Sequence, residues 1–296
     1  MLDDAIRKAA VLVEAMSYIR AFRNRIFVVK FGGAAMESPE ILDQVLVDVA
    51  FLESVGIRPV LVHGGGPAIS AAMKAAGKEP RFVRGHRVTD EETLRIAREV
   101  LADRINADIC GRLKAAGGQP VPIADGSDGA LRAERKLSEF TNEDGTIEKV
   151  DLGLVGRMTG ADTERFHNLC RQGLVPVVAP LATGPSGEVL NVNADMVAGF
   201  LAAAVDAEKA VFLSDTHGIL TDPNDAASFA ESIDEALLEA LIEKGVIDGG
   251  MLPKVEACIA ALDGGVRKAH IVDGRIKHSL LLEIFTDKGV GTQILK

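Results

Sequence analysis

Phe27-Val28-Val29-Lys30-Phe31-Gly32-Gly33 is a short apolar run with a lysine inside it and a glycine pair at its end. Such a run reads as a buried strand entering a turn. A lysine buried there is costly unless an anion meets it, and glycines after a strand let backbone N–H groups approach a ligand closely. Two readings stay open on these residues alone: a phosphate-handling strand end, or a strand whose lysine snorkels to water past an ordinary turn. A second, matching element is needed to choose between them.

Working outward, Pro59-Val60-Leu61-Val62-His63 is another apolar run, and it delivers Gly64-Gly65-Gly66-Pro67 and a helix expected over 68–76. Three glycines between a strand and a helix make a concave row of N–H donors at a positive helix end, suited to an anion, although tight turns also use glycine. Between the two runs, Ser38-Pro39-Glu40 places a cap and an N1 proline before the periodic Ile41, Val45, Val49 and Leu52. Two strand–glycine–helix units in succession imply parallel strands with crossover helices. The expected class is α/β, a three-layer α/β/α sandwich around a mainly parallel central sheet. An amphipathic helix over 1–24 precedes it, with Leu2, Ile6, Ala9, Val13 and Met16 at steps of four and three. That helix packs either on its own subunit or on a neighbour.

The chain has 296 residues, 47% of them hydrophobic, and 43 acidic against 33 basic residues give a charge of −10. That balance disfavours nucleic acid or an acidic membrane as partner and favours small molecules. Cys110, Cys170 and Cys258 are far apart and form no CxxC pair, which fits reduced thiols better than a disulfide framework. There is no signal-peptide pattern, and no apolar run reaches the roughly 18 residues of a membrane span, so a cytoplasmic location is expected.

Further along, Gly85-His86-Arg87-Val88 precedes Thr89-Asp90-Glu91-Glu92, which reads as a capping box opening a long helix. Arg87 suits a bidentate grip on a carboxylate, or an ordinary surface salt bridge. Residues 119–150 read as short strands and turns, with loops at 125–129 and 142–145; the aspartate-glycine clusters lack the ligand spacing of a calcium loop. A strand over 175–180 precedes Asn191-Val192-Asn193-Ala194-Asp195, where capping accounts for one or two polar groups and leaves an amide or carboxylate for a ligand. The turn formers at 182–188 mark a lobe boundary. Lys254, behind Gly249-Gly250-Met251-Leu252-Pro253, is the second basic group. No GxxxxGK[ST] loop is present and no GxGxxG follows a strand, so neither a P-loop enzyme nor a dinucleotide-dependent dehydrogenase is supported. Two glycine-rich strand ends and two lysines fit phosphoryl transfer, whose catalysis is largely positioning and charge neutralisation.

Lys30-Phe31-Gly32-Gly33, His63-Gly64-Gly65-Gly66-Pro67, Gly85-His86-Arg87-Val88-Thr89, Asn191-Val192-Asn193-Ala194-Asp195 and Gly250-Met251-Leu252-Pro253-Lys254 follow one another across essentially the whole chain. Together they resemble the acetylglutamate kinases of the amino acid kinase family. The resemblance implies the amino acid kinase fold and ATP-dependent phosphorylation of the side-chain carboxylate of N-acetyl-L-glutamate, the second step of arginine biosynthesis. Mg2+ would be held mainly by the nucleotide, with no metal site of the protein's own. Lys30 and Lys254 would flank the migrating phosphoryl group, Lys30 toward the β/γ bridge and Lys254 toward the nucleotide, with Asp195 orienting both. Gly32, Gly33, Gly65 and Gly66 would donate N–H bonds, while Arg87 and Asn191 hold the α-substituents of the acceptor. Asp215, Gly218, Leu220, Val246, Asp248, Gly249 and Met251 would line the nucleotide. Residues 1–24 would form an oligomerisation helix, 25–184 an acceptor-binding and dimerisation lobe, and 185–296 a nucleotide-binding lobe.

An acceptor carboxylate with a pKa of about 4.3 is already ionised at neutral pH, so no general base is required and His63 is left a structural role. The chain also resembles the arginine-inhibited branch of the family, in which an N-terminal helix links dimers into a hexamer, a trimer of dimers. Tyr18, His278, Glu283 and Gly289 fall in the corresponding places, which makes arginine an expected inhibitor; a signalling-protein partner is left open. Ala34 stands where relatives often carry a polar residue, and the 124–133 region is short beside them. Kinases of carrier-linked aminoadipate and of other amino acids share the fold, and a non-catalytic arginine sensor is the alternative of another class. Arg87 with Asn191 favours an acylated amino acid, and the joint presence of Lys30, Asp195 and Lys254 argues against a sensor.

Overall fold

The computed structural model describes residues 2–33, 36, 38–83, 86–141 and 147–296; Ala34, Gly85 and the loop expected at 142–145 lie outside the described residues. Helix α1 (Leu2–Phe22) leads into β1 (Ile26–Phe31), α2 (Pro39–Ser54), β2 (Arg58–His63) and α3 (Gly66–Ala75). After β3 (Phe82–Val83) and β4 (His86–Arg87), one helical run comprises α4 (Glu91–Arg98), a π-helical stretch (Glu99–Asn106) and α5 (Ala107–Ala115). Then come β5 (Pro120–Ile123), β6 (Leu131–Thr141), β7 (Ile147–Ala161), α6 (Thr163–Arg171), β8 (Val175–Val178), β9 (Leu181–Thr183) and β10 (Val189–Asn191). The remainder is α7 (Ala194–Ala204), β11 (Lys209–Ser214), β12 (Ser232–Asp234), α8 (Glu235–Glu243), α9 (Leu252–Asp263), β13 (Lys268–Asp273), α10 (Ser279–Phe285) and β14 (Thr292–Leu295).

Eight strands form the central sheet in the order β12-β14-β13-β11-β1-β2-β8-β5, and every pairing is parallel except that of β13 with β14. The expected three-layer arrangement follows from the period of two along β1. Phe27, Val29 and Phe31 pack with Leu42, Val45, Leu46 and Val49 of α2 and with Leu280 and Ile284 of α10. Ile26 and Val28 face the other way, among Val197, Ala198 and Leu201 of α7. Lys30 shares the parity of Ile26 and Val28, so its side chain belongs to the α7 side of the sheet. Ser38 caps α2 and Pro39 opens it, as the sequence predicts.

Helix α7 lies against α9 without a spacer. A β-carbon on Gly199 would collide with the Ala257 carbonyl, and one on Gly264 with Ala203. Residues rise together along both helices at these two contacts, so α7 and α9 run in the same direction with their N-termini at one end. That end carries Asp195 and Lys254. Gly199→Ala is expected to cost about 1–3 kcal/mol by overpacking, and to lower turnover by moving Lys254 relative to Asp195. Urea unfolding and steady-state rates would check it; unchanged stability would mean that the two helices part freely.

Two expectations are corrected. The short strand and the loop expected at the start of 119–150 are present, as β5 and residues 124–130, but the described residues from 131 on are not short strands and turns. β6 and β7 make a long antiparallel hairpin with register shifts at Arg132/Ala133 and Arg135/Leu137, and with β9 and β10 they pair in a closed ring. Charged Glu134, Arg135 and Lys136 on β6 and Gly153, Gly156 and Gly160 on β7 dilute the strand signal, and the pairing itself is set by partners distant in sequence. The helix after Arg87 is capped by Asp90, whose carboxylate accepts from Thr93 N at 2.8 Å. Thr89 is instead stitched to the hairpin: its N–H donates to Leu152 O at 2.8 Å and its carbonyl accepts from Leu154 N at 2.7 Å. Gly153, at φ +78°, permits that close approach.

The last turns of helix α1 pack on its own chain. Phe22 meets Phe27 with ring centroids 5.2 Å apart, and Tyr18 meets Phe285 at 6.4 Å. Leu2, Leu12 and Val13 are 74%, 67% and 68% exposed, so the apolar side of the helix is open to a neighbour.

Candidate active site

The parallel strands β1, β2 and β11 end together, and their C-terminal edge is where ligands of open α/β sheets bind. Gly64 N donates to Phe31 O at 2.9 Å, tying the turn after β2 to the end of β1. A β-carbon on Gly64 would stand 3.5 Å from Gly32 Cα, so the two glycine turns meet backbone to backbone; one on Gly32 would stand 3.2 Å from Lys30 Nζ.

Lys30 is buried, and its Nζ lies 2.7 Å from Asp195 Oδ1. The angle is not that of a hydrogen bond, so Oδ1 is buried with charge alone to satisfy it. Asn193, not Asp195, caps α7: its Oδ1 accepts from Asp195 N at 2.8 Å and from Met196 N at 3.2 Å. That division of labour leaves the Asp195 carboxylate for the lysine. Lys254 makes no ion pair with Asp195 here; its Nζ donates to Gly250 O at 3.1 Å. The buried Cys258 thiol is pushed well up by desolvation, further up by the Asp195 charge and partly back by Lys254.

The carbonyls of the triple glycine are all engaged by protein. Gly64 O accepts from His63 Nδ1 at 2.8 Å, Gly65 O from Ile69 N at 2.9 Å, and Gly66 O from Arg87 at 2.9 Å and Ser70 Oγ at 3.1 Å. The N–H groups of Gly65 and Gly66 have no protein acceptor among the described residues. They stand at the positive end of α3, the arrangement that suits an anion. His63 is fully buried, and desolvation lowers its pKa to about 4. An unfolded His63 takes up a proton near pH 6.5 whereas the folded one does not until about pH 4, so stability is lost as pH falls through that window. The expected loss is about 3 kcal/mol between pH 7 and pH 4. Denaturant unfolding at the two pH values checks this, with His63→Asn predicted to flatten the difference.

A cavity of about 710 Å³ opens beside these groups, and Gly64, Gly65, Gly66, Arg87, Asn191 and Asp195 line it together. Arg87 is half-buried and bonded to neutral groups: Gly66 O, Ser70 Oγ at 2.8 Å and Met73 Sδ at 3.2 Å, with its guanidinium 4.7 Å from the Phe82 ring centroid. Burial lowers its pKa. It is thus a pre-positioned cation without a carboxylate partner among the described residues. Asn191 Nδ2 lies 3.5 Å from Thr89 Oγ1. Val155 and Met158 of the hairpin close one wall, and sequence reasoning missed them because it missed the hairpin.

The other sequence-predicted residues gather elsewhere along the same edge. Asp215 follows β11 and accepts from Ser214 Oγ at 3.3 Å. Gly218, at φ +139°, abuts Thr292, whose Oγ1 accepts from Ile219 N at 2.8 Å, and Leu220 bridges to Phe229. Val246, Asp248, Gly249 and Met251 lie in the loop between α8 and α9, where Gly249 has φ +50° and Met251 N donates to Asp248 O at 3.1 Å. Gly33 adopts φ +55° with open space where a side chain would stand. None of these lines the 710 Å³ cavity, nor do Lys30 and Lys254.

Tyr18, His278, Glu283 and Gly289 surround α10. Tyr18 donates to Asp287, and His278 Nδ1 lies 2.6 Å from Asp48 Oδ1. Glu283 is buried, 2.6 Å from His270 Nδ1, and accepts from Val290 N and Gly291 N at 2.7 and 2.9 Å. Gly289 passes so close to that carboxylate that a β-carbon would collide with it. Sequence reasoning missed Lys209, whose Nζ lies 3.3 Å from His270 Nε2 and whose pKa burial lowers to about 8. Among the described residues no three His, Cys, Asp or Glu side chains come together as a metal site.

Residues 25–273 match the amino acid kinase family. The chain is similar to the acetylglutamate kinase of Pelotomaculum thermopropionicum, 46% identical over 289 residues that make up 98% of each chain. Its structure is similar to N-acetylglutamate synthase from Neisseria gonorrhoeae complexed with coenzyme A and L-arginine, with a TM-score of 0.80 and 27% identity over 97% of this chain. The same synthase complexed with coenzyme A and N-acetyl-glutamate gives a TM-score of 0.78 and 28% identity. The chain spans 65% and 63% of those two synthase chains.

Proposed function

The chain belongs to the amino acid kinase family, and from that membership and its site we propose that it transfers the γ-phosphoryl group of ATP to the side-chain carboxylate of N-acetyl-L-glutamate. The products are ADP and N-acetyl-L-glutamyl 5-phosphate, and the step is the second of arginine biosynthesis. The observation that carries the assignment is the set of groups gathered at one cavity. Arg87, Gly65, Gly66, Asn191 and Asp195 line it together, Arg87 as a fixed cation, the two glycines with free N–H groups, and Asp195 paired with the buried Lys30.

In this reading Arg87 grips the α-carboxylate of the acceptor through its fork of donors, and Asn191 binds the acylated amine. The side-chain carboxylate then lies toward Lys30. One of its oxygens attacks phosphorus, a new O–P bond forms, and the bond from phosphorus to the β,γ-bridging oxygen breaks with its electron pair leaving on ADP. No proton moves, because the acceptor, with a pKa of about 4.3, is already ionised. Lys30 offsets charge on the phosphoryl oxygens, Asp195 holds Lys30 in place, and Gly32, Gly33, Gly65 and Gly66 donate N–H bonds. Lys254 leaves Gly250 O for the nucleotide, which lies against Asp215, Gly218, Leu220, Val246, Asp248, Gly249 and Met251. In this reading Mg2+ arrives with the nucleotide. Mg2+ supplies neutralisation of the phosphate oxygens when bound.

ADP release should appear with N-acetyl-L-glutamate and stay at background with free L-glutamate or L-aspartate. Equal rates with the free amino acids would contradict the acceptor assignment.

The lobes divide as 25–184 for the acceptor and dimerisation and 185–296 for the nucleotide. We further assign α1 to assembly of a hexamer, a trimer of dimers, and Tyr18, His278, Glu283 and Gly289 to inhibition by arginine. The exposed apolar side of α1 and the gathering of those four residues around α10 support this. So does the likeness to the synthase complexed with L-arginine. Removal of residues 1–24 is expected to leave a smaller, active, arginine-insensitive oligomer, read by light scattering and arginine titration. A hexamer with unchanged inhibition would overturn it. A cytoplasmic location fits the free thiols of Cys110, Cys170 and Cys258.

A further inference from the structure

Beneath the triple glycine lies a buried polar pair that the transfer reaction does not touch. Asn106 closes the π-helical stretch and is fully buried. Its Nδ2 donates to Val177 O at 2.9 Å and lies 3.1 Å from His63 Nε2. The contact with Val177, a carbonyl, assigns that side of the amide as NH₂, since amide oxygen facing carbonyl oxygen would repel. The other NH₂ hydrogen then points at His63 Nε2, which must be the lone-pair nitrogen. The His63 proton therefore sits on Nδ1, and Nδ1 donates to Gly64 O at 2.8 Å.

The consequence lies on the far side of one peptide bond. In a planar trans peptide the C=O and the following N–H point in opposite directions. Holding Gly64 O down toward His63 therefore turns the Gly65 N–H away from the core. Leu101 and Ile105 of the same π-helical stretch crowd the site where a Gly65 β-carbon would stand, with Ile105 Cδ1 3.0 Å from it. Glycines on both sides of this peptide leave it free to flip unless something holds it. With the proton on Nε2, the Nδ1 lone pair would face the Gly64 carbonyl and drive such a flip.

We propose that Asn106 is a positioning residue for the phosphoryl transfer: through His63 it fixes the Gly64–Gly65 peptide so that Gly65 N–H is aimed at the reacting anion. The proposal rests on the role given to Gly65 above, and its test separates the two. Long-range proton–nitrogen NMR of the full-length enzyme reads the tautomer of each of the six histidines; His63→Asn assigns the His63 signal by its loss. The wild type should show the Nδ1–H form of His63 at pH 7, and Asn106→Leu should shift it toward the Nε2–H form. Asn106→Leu and His63→Leu should each lower kcat by about 10²-fold, the cost of one misplaced donor, with KM for ATP nearly unchanged. His63→Asn, whose side-chain NH₂ can still reach Gly64 O, should recover most of that loss. An Nε2–H tautomer in the wild type would overturn the proposal, and so would an Asn106→Leu enzyme that keeps full kcat. So would equal losses in His63→Asn and His63→Leu. Should either leucine variant fail to fold, the wild-type tautomer and the His63→Asn rate still decide it. A wild type that leaves N-acetyl-L-glutamate unphosphorylated would fail the functional assignment instead, with the tautomer still deciding whether the peptide is held as described.

Discussion

Lys30→Met is expected to lower kcat by about 10²–10³-fold, the cost of losing one preorganised charge contact to the transferring group. It should also destabilise the fold, because Asp195 is buried with Lys30 as its counter-charge at 2.7 Å. Stranding one partner of a buried pair costs about 3–5 kcal/mol. Activity and stability part in the double variant. Lys30→Met with Asp195→Asn removes both charges, so unfolding in urea should return close to wild type while turnover stays as low as in Lys30→Met. If the double variant regained activity along with stability, the ion pair would be a structural feature of the α7 side of the sheet.

Arg87→Leu should act instead on the binding of the acceptor. A guanidinium that meets a carboxylate through two parallel bonds contributes roughly 1.5–3 kcal/mol for each charged hydrogen bond. Its loss should raise KM for N-acetyl-L-glutamate by about 10²–10⁴-fold. KM for ATP should hardly change. Arg87→Lys should not rescue the variant, because the present geometry uses a planar fork, with separate nitrogens on Gly66 O and Met73 Sδ and the Phe82 ring beneath. Equal effects on both substrates would mean that Arg87 organises the Gly64–Gly66 turn rather than the acceptor.

Lys30 alone left two readings, and the choice between them lay in residues far along the chain. The parity of β1 determined which side of the sheet the lysine would face, and the polar run at 191–195 announced a helix start with more polar groups than a cap needs. Which of them capped and which paired was not legible. Asn193 takes both backbone donors and Asp195 takes the lysine, a distinction of rotamer rather than composition. The β6–β7 hairpin escaped because its register is set by distant partners and its charged face and glycines mask the period of two. The π-helical stretch was invisible for a different reason, since its residues keep a helical pattern and only the hydrogen-bond ladder departs from it. Asn106 therefore looked like any polar position on a helix, although it sits at the foot of the glycine turn. Lys209 and His270 were hidden likewise, as polar residues inside apolar strands, with the buried Glu283 that meets His270 coming from another element.

The central claim is that phosphorus passes from ATP to a carboxylate oxygen, and trapping the product with hydroxylamine tests it most directly. With MgATP, N-acetyl-L-glutamate and hydroxylamine, the wild-type enzyme should form one N-acetylglutamyl hydroxamate for each ADP released. Lys30→Met should form almost none. ADP released with inorganic phosphate and no hydroxamate would mean that water, not the carboxylate, receives the phosphoryl group, and would contradict the account.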